Sequence, residues 1–254
     1  MGATVLAFAN QKGGVGKTTC VINIAAELGK RGKRVLLVDM DPQGNATSGL
    51  GIAKKSVKAS SYQALVGEVA AKDAVIVTEF KNLSIIPSTI SLVGAEYDLH
   101  TAEERGMNCA NALRPLREDY DFILIDCPPT LGMLTINALA ASDGIVIPMP
   151  CDFYSLEGLS QLNLTIKKVR SLYNPSLEIT GILLTMYNKR LLLTMQVEAE
   201  LQKYYADKLF RTTISRGVKL AEAPGFGRPI CYFDPYGKGS LEYREVVKEL
   251  LLRV

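Results

Sequence analysis

The chain has no tryptophan, one histidine and five cysteines among 254 residues. With His100 as its only imidazole, it has little from which to build a His-based metal centre or a Ser-His-Asp relay. His100 falls in a polar helical stretch and reads as a solvated surface side chain. Cys20, Cys109, Cys127, Cys151 and Cys231 form no C-x-x-C pair. An odd, scattered set points to reduced thiols in a cytosolic protein, not to disulfides or zinc. The apolar runs at 145–148 and 250–252 are far too short to span a bilayer. No Ser/Gly/Pro-rich spacer, low-complexity tract or internal repeat interrupts the sequence. Met1-Gly2-Ala3-Thr4 leads into an apolar run without a basic segment, so no secretory leader is expected. These absences together predict a soluble, cytoplasmic protein.

An apolar content of 48% is ample for a core. The length suits one large α/β domain or two small ones, and without a linker a single domain over 1–254 is expected. The net charge of +3 hides an asymmetry. Residues 1–159 carry 14 Lys/Arg against 17 Asp/Glu, a balance of −3; residues 160–254 carry 15 against 9, a balance of +6. A basic C-terminal part points to an anionic partner.

Apolar, β-branched runs at 5–9, 35–38, 83–86, 122–125, 145–147 and 179–184 alternate with helical patterns. That alternation predicts βαβ units and a doubly wound, mostly parallel sheet flanked by helices. In the helical stretch 21–31, Ile22, Ala25, Ala26 and Leu28 mark the buried stripe, and Gly29 is expected to stop it. Over 155–173, Leu156, Leu159, Leu162, Ile166, Val169 and Leu172 recur every three or four residues. A closing helix is expected over 240–253, with Val246, Val247, Leu250 and Leu251 apolar.

The strongest signal is Asn10-Gln11-Lys12-Gly13-Gly14-Val15-Gly16-Lys17-Thr18-Thr19, set between the first apolar run and the first helical pattern. A strand, a glycine-dense turn and a helix start in that order form a phosphate cradle. Glycines let backbone N–H groups converge on an anion, and the helix N-terminus adds partial positive charge. Lys17 is expected to reach the terminal phosphates and Thr18 to ligate Mg²⁺. The pattern G-x-x-x-x-G-K-[ST] is not strictly met: Gln11 stands where its first glycine belongs, and a second lysine, Lys12, opens the loop.

Two acidic clusters follow strands, where ligand sites of open α/β sheets lie. One is Asp39-Met40-Asp41-Pro42-Gln43-Gly44-Asn45. The other, Phe122 through Asp126 and on to Cys127-Pro128-Pro129, has the form of a Walker B segment, an apolar strand ending in a carboxylate that holds Mg²⁺. An Asp at a strand end often only caps the next turn. Beside Lys17 and Thr18, the metal-holding role is the better reading of Asp126.

With these segments in place, the chain resembles the ParA/MinD class of deviant Walker A P-loop NTPases, and within it the small chromosomal ParA proteins of the Soj type. Asp-Pro-Gln-Gly-Asn-Ala-Thr-Ser-Gly-Leu-Gly at 41–51, Leu-Glu-Gly at 156–158 and Leu-Ala-Glu-Ala-Pro at 220–224 extend the likeness nearly end to end. The resemblance implies a slow, Mg²⁺-dependent ATP hydrolase. Lys12 resembles the signature lysine that crosses an ATP-sandwich homodimer to the partner's phosphates, and Gly13 the glycine that must stay small for closure. Gly14, Val15, Gly16, Lys17, Thr18 and Thr19 complete the nucleotide cradle. Asp41 resembles the carboxylate that orients the attacking water, Asp39 a nearby switch-region acid, and Asp126 the Walker B acid. The implied cycle is ATP-driven dimerisation, DNA binding without sequence preference, and hydrolysis stimulated by a ParB-type centromere-binding protein. Such a partitioning ATPase is expected to be nucleoid-associated, with no membrane partner.

In proteins of this type, C-terminal basic residues meet the duplex. The matching positions are Arg190 and Lys219, with Arg216 and Lys189 as helpers, all within the +6 segment. Phosphate contacts of this kind weaken steeply with salt. Some positions depart from the family. Ser215-Arg216-Gly217 stands where Pro-Arg-Asn is common, so Ser215 and Gly217 are expected beside the adenine with altered base contacts. Lys219 replaces a frequent Arg and supplies charge without a fork. The chain enters its first strand at once, so the helix-turn-helix extension of larger plasmid relatives is not expected.

Three rival readings use the same machinery. A MinD-like membrane ATPase would need an amphipathic basic tail, whereas the last helix carries Glu242, Glu245 and Glu249. A nitrogenase-iron-protein-like carrier would need paired cysteines at the dimer axis, and Cys127 reads instead as a small buried thiol. A nucleotide-dependent scaffold that scarcely hydrolyses ATP is opposed by Asp41.

Overall fold

The computed structural model describes residues 2–101 and 105–254. The side chains of residues 100 and 101 are not among those described, so the surface placement expected of His100 lies outside the described residues. Seven strands form one sheet: β1 (Thr4–Phe8), β2 (Val35–Asp39), β3 (Ile76–Val77), β4 (Leu83–Ile86), β5 (Phe122–Asp126), β6 (Gly144–Pro150) and β7 (Glu178–Thr185). Their order is β3-β4-β2-β5-β1-β6-β7; all pairs are parallel except β3 with β4. The helices are α1 (Lys17–Lys30), α2 (Asn45–Gly49), α3 (Ser61–Val66), α4 (Leu92–Thr101), α5 (Asn108–Leu113) and α6 (Met133–Ala141). There follow α7 (Ser155–Leu172), α8 (Leu192–Tyr205), α9 (Val218–Glu222), α10 (Ile230–Phe233) and α11 (Lys238–Leu250).

Strand side chains alternate between two cores, as a pleated sheet covered on both faces requires. Leu6, Phe8, Leu37 and Leu124 face the layer containing α1 and α11. Val5, Ala7, Leu36, Ile123 and Ile125 face the layer containing α6 and α7. The doubly wound expectation therefore holds. On α11, Tyr243, Val246, Val247 and Leu250 are fully buried within the α1-side core. Truncating a side chain so placed, as in Leu250→Ala, costs about 2–5 kcal/mol. The closing helix is part of the fold.

Several boundaries differ from expectation, each for a packing reason. Gly29 does not end α1, which runs to Lys30. A Cβ at Gly29 would stand 2.2 Å from the Lys81 carbonyl oxygen, so the glycine permits a close approach. The left-handed turn after the helix belongs to Gly32, at φ 87°. Leu172 continues the apolar period of α7 but is exposed. Pro148 and Pro150 argue against a strand beyond residue 147, yet β6 runs to Pro150. Its pairing with β1 covers only Gly144–Val146, so the prolines have β7 on one side alone. The two-residue edge strand β3 and helix α8 carried no clear periodic signal.

Candidate functional site

The segment between β1 and α1 forms a tight turn at the carboxyl end of the central strands. Two of its glycines have positive φ, Gly14 at 72° and Gly16 at 89°, conformations that side-chain-bearing residues resist. Gly16 is also the N-cap of α1, and no side chain caps that helix end. Its first N–H groups thus remain to face a ligand. Val15 is buried, and its carbonyl accepts a 2.8 Å hydrogen bond from the Thr185 hydroxyl at the end of β7. Asn10 braces the entry to the loop: its side chain donates to the Pro148 carbonyl at 2.9 Å and accepts from the Lys12 N–H at 3.0 Å.

The two lysines are held differently. The Lys17 ammonium is buried and donates to the Lys12 carbonyl at 3.0 Å, so it is folded over its own loop. Burial lowers its pKa, against the opposing pull of Asp126, Cys127 and Asp41. Lys12 is half-exposed and pairs with Asp152, just beyond β6. Burial disfavours the Asp152 anion, but hydrogen bonds from Lys12 and Ser155 outweigh it and hold the carboxyl below its ordinary range.

Three carboxylates cluster beside this loop, and two of them, Asp126 and Asp41, act on Lys17. Asp39 and Asp126 end the neighbouring strands β2 and β5 in direct register, and both are fully buried. Asp39 is well satisfied: one oxygen accepts from the Thr47 N–H at 2.8 Å and the Thr47 hydroxyl at 2.7 Å, the other from the Asp41 N–H at 3.2 Å. Burial still pushes it up to about 6, with the Thr47 and Asp41 bonds opposing and the Asp41 charge adding. Asp41 is buried and accepts from the Gln43 N–H at 2.9 Å.

Asp126 is the exception. Both its oxygens are buried and neither accepts a formed hydrogen bond. Burial and then the Asp39 charge drive its pKa well up; the nearby Thr18 hydroxyl favours the anion without completing a bond in hydrogen-bond geometry. A buried carboxylate with no donor is costly unless it is protonated or meets a cation. Among the described residues, no group of three or more His, Cys, Asp or Glu side chains could hold a metal. The unbonded Asp126 carboxylate with the Thr18 hydroxyl nearby fits a hard cation that takes one hydroxyl and one carboxylate from the protein and its remaining oxygens from phosphate and water.

Ser215, Arg216 and Gly217 line a cavity of about 210 Å³ with Gly16, Thr19 and Met186. It adjoins the start of α1, which brings both ends of the expected nucleotide site together. The Ser215 N–H is held by Glu242 at 2.9 Å. Lys189, Arg190, Arg216 and Lys219 are all exposed. Lys219 is engaged: it pairs with Glu222 at 3.1 Å and lies 5.5 Å from the Phe233 ring centre.

Residues 3–179 match the AAA domain family. Over 246 residues, 97% of either chain, the sequence is 50% identical to sporulation initiation inhibitor protein Soj of Bacillus subtilis. The chain belongs to the ParA/Soj family of P-loop ATPases. It is also 46% identical over 249 residues to chromosome partitioning protein ParA of Myxococcus xanthus, covering 98% of this chain and 88% of the relative. Among solved structures, it superposes with TM-score 0.86 on a cobyrinic acid a,c-diamide synthase of Mycobacterium smegmatis with bound ADP and magnesium. That protein is 35% identical, with 98% of this chain and 94% of the other covered.

Several residues at the site escaped sequence reasoning. Asp152 follows β6 as Asp39 and Asp126 close their strands, so the strand-end rule applied to Asp39 and Asp126 also covers it. Met186, at φ 50° on the cavity wall, carries no sequence signal, because left-handed backbone is read from glycine and this residue is not one. Thr47, which also accepts from the Ser88 N–H at 2.9 Å, makes a contact 41 residues away that periodicity does not register.

Proposed function

We propose that this chain is a Mg²⁺-dependent partitioning ATPase whose ATP state is a sandwich dimer that grips DNA. The observation that carries the reading is the fully buried, unbonded carboxylate of Asp126 beside Thr18 and Lys17, a constellation completed by a cation and phosphates. Thr18 and Asp126 would hold Mg²⁺; when bound, it would neutralise charge on the phosphate oxygens.

The chain's own groups supply the rest. Gly13, Gly14, Val15 and Gly16 wrap the phosphates with backbone N–H groups, Thr19 continues that wall, and Lys17 adds its buried charge. Asp41 orients the attacking water. Ser215 and Gly217 border the purine in the cavity beside Gly16 and Thr19. Lys12, released from Asp152, reaches the twin's phosphates and acts there as an arginine finger does. Gly13 fits that arrangement: its Cβ would meet only Pro129, at 3.9 Å, so nothing within the chain itself demands a glycine there. Arg190, Arg216 and Lys219, doubled by dimerisation, contact duplex phosphates without reading sequence. Hydrolysis, stimulated by a ParB-type partner, would dissolve the dimer and release the nucleoid DNA.

The test is co-sedimentation with non-specific double-stranded DNA in ATP and in ADP at two salt concentrations, with ATP turnover measured alongside. DNA association that requires ATP and falls steeply with salt is the expected result. Equal binding in both nucleotides would remove the coupling.

A further inference from the structure

The loop that leaves Asp126 is anchored from an unexpected direction. Helix α6 begins directly after it, and its N-cap, Gly132, offers no side-chain bond to the first turn. The acceptor comes from α4 instead. Glu96 receives the Met133 N–H at 2.8 Å, while the Leu134 N–H lies 3.5 Å from its other oxygen. A carboxylate on a helix N-terminus is favoured by both charge and hydrogen bonding. The carboxylate lies close over the helix start: a Cβ at Gly132 would come within 2.5 Å of a Glu96 carboxylate oxygen.

From α6 the connection returns to the nucleotide loop. The Thr135 hydroxyl donates to the Thr130 carbonyl at 2.6 Å, which fixes the middle of the loop. Pro129 is the nearest neighbour on the Cβ side of Gly13, 3.9 Å from where a Cβ would stand. The segment entering α4 also reaches the other strand end: the Ser88 N–H donates to the Thr47 hydroxyl at 2.9 Å, and Thr47 holds Asp39. One stretch of chain, 88–96, therefore touches the supports of both register-paired carboxylates, Asp39 and Asp126.

We propose that Glu96 is a positioning residue for ATP hydrolysis, clamping the start of α6 so that the 127–132 loop holds Asp126 toward Thr18. Glu96 touches neither nucleotide nor water in this account; it acts through α6 and the loop. The inference rests on the ATPase reading above. Its consequence is a defect in turnover rather than in nucleotide affinity, because the phosphate cradle and the purine cavity lie outside the clamp.

The experiment measures ATP turnover by the full chain with saturating double-stranded DNA, and binding of a fluorescent ATP analogue. Glu96→Ala is expected to lower kcat about tenfold or more, as small misplacements do, with KM and analogue affinity within about twofold. Glu96→Gln keeps an acceptor for the Met133 N–H and should recover most of the rate. Gly132→Ala places a methyl group against Glu96 and should lower kcat as well, and the double variant should fall no further than the worse single one. A Glu96→Ala variant as fast as an active parent sinks the proposal alone, as do a loss confined to affinity and effects that simply multiply. An inactive parent sinks the ATPase reading and this one with it.

Discussion

Lys12 is ion-paired with Asp152 of its own chain, so the residue proposed to reach a twin subunit is tethered at home. The side chains are 40% and 37% exposed, which places the pair among surface salt bridges of about 0.2–1 kcal/mol. Such a tether is easily exchanged for a phosphate, but it biases the equilibrium. Asp152→Asn should lower the ATP concentration giving half-maximal dimer by up to about fivefold. Light scattering across an ATP titration measures it; an unchanged or higher midpoint would show that the pair does not restrain Lys12.

Gly13 supplies a complementary test. The monomer has room for a Cβ there, so Gly13→Val should fold with a melting temperature close to the parent and still bind ATP. It should fail to dimerise, as should Lys12→Ala. An ATP-dependent dimer of Gly13→Val, seen by sedimentation velocity, would remove the close apposition of two loops.

Asp41→Ala should trap the ATP-bound, DNA-associated state. The carboxylate is nearly buried and its Gln43 bond fixes its direction. Losing a group that orients the nucleophile costs about 10²–10⁴ in rate. Phosphate release should fall by that order while co-sedimentation with DNA persists. Turnover at the parent rate would assign the water to another residue.

How much of this was legible beforehand divides along physical lines. The parallel sheet and the phosphate loop follow from local patterns: β-branched runs, and glycines where φ must be positive, as at Gly14 and Gly16. Asp39 and Asp126 could be found as acids at strand ends. Their direct register across β2 and β5 could not, because the intervening strand order is a tertiary fact. Gly29 was misread for a related reason: glycine serves both turns and close approaches, and only the Lys81 carbonyl reveals which. Glu96 sits 37 residues from the Met133 N–H it binds, beyond any local pattern.

The basic surface divides unequally once ion pairs are known. Lys219 already pairs with Glu222, whereas Arg216 borders the purine cavity with no ion pair among the described residues. Arg216→Ala should therefore weaken DNA association more than Lys219→Ala. Each true phosphate contact removed should reduce the salt slope by about one. Arg190→Ala provides the third measurement. Identical salt slopes for all three variants and the parent would place the DNA surface elsewhere.

The buried acids predict the pH response of the nucleotide-free chain. Asp39 is raised to about 6 and Asp126 is raised well above its ordinary value, both chiefly by burial. A carboxyl whose folded pKa exceeds its unfolded value of about 3.9 binds protons more tightly when folded. Its stabilising contribution is complete below that unfolded value and is lost as pH rises through the folded one. From these groups, the nucleotide-free protein should lose stability between about pH 4 and pH 6 through Asp39, and likewise above the ordinary carboxylate range through Asp126. Asp126→Asn removes the latter group and should flatten the dependence of melting temperature on pH over the range above ordinary carboxylate values. Saturating Mg²⁺–ATP should flatten it too, because a cation at Asp126 favours the anion. A parent and an Asp126→Asn variant with the same slope across that range would mean that the carboxylate is already compensated within the folded chain, and the argument for a cation there would lose its footing.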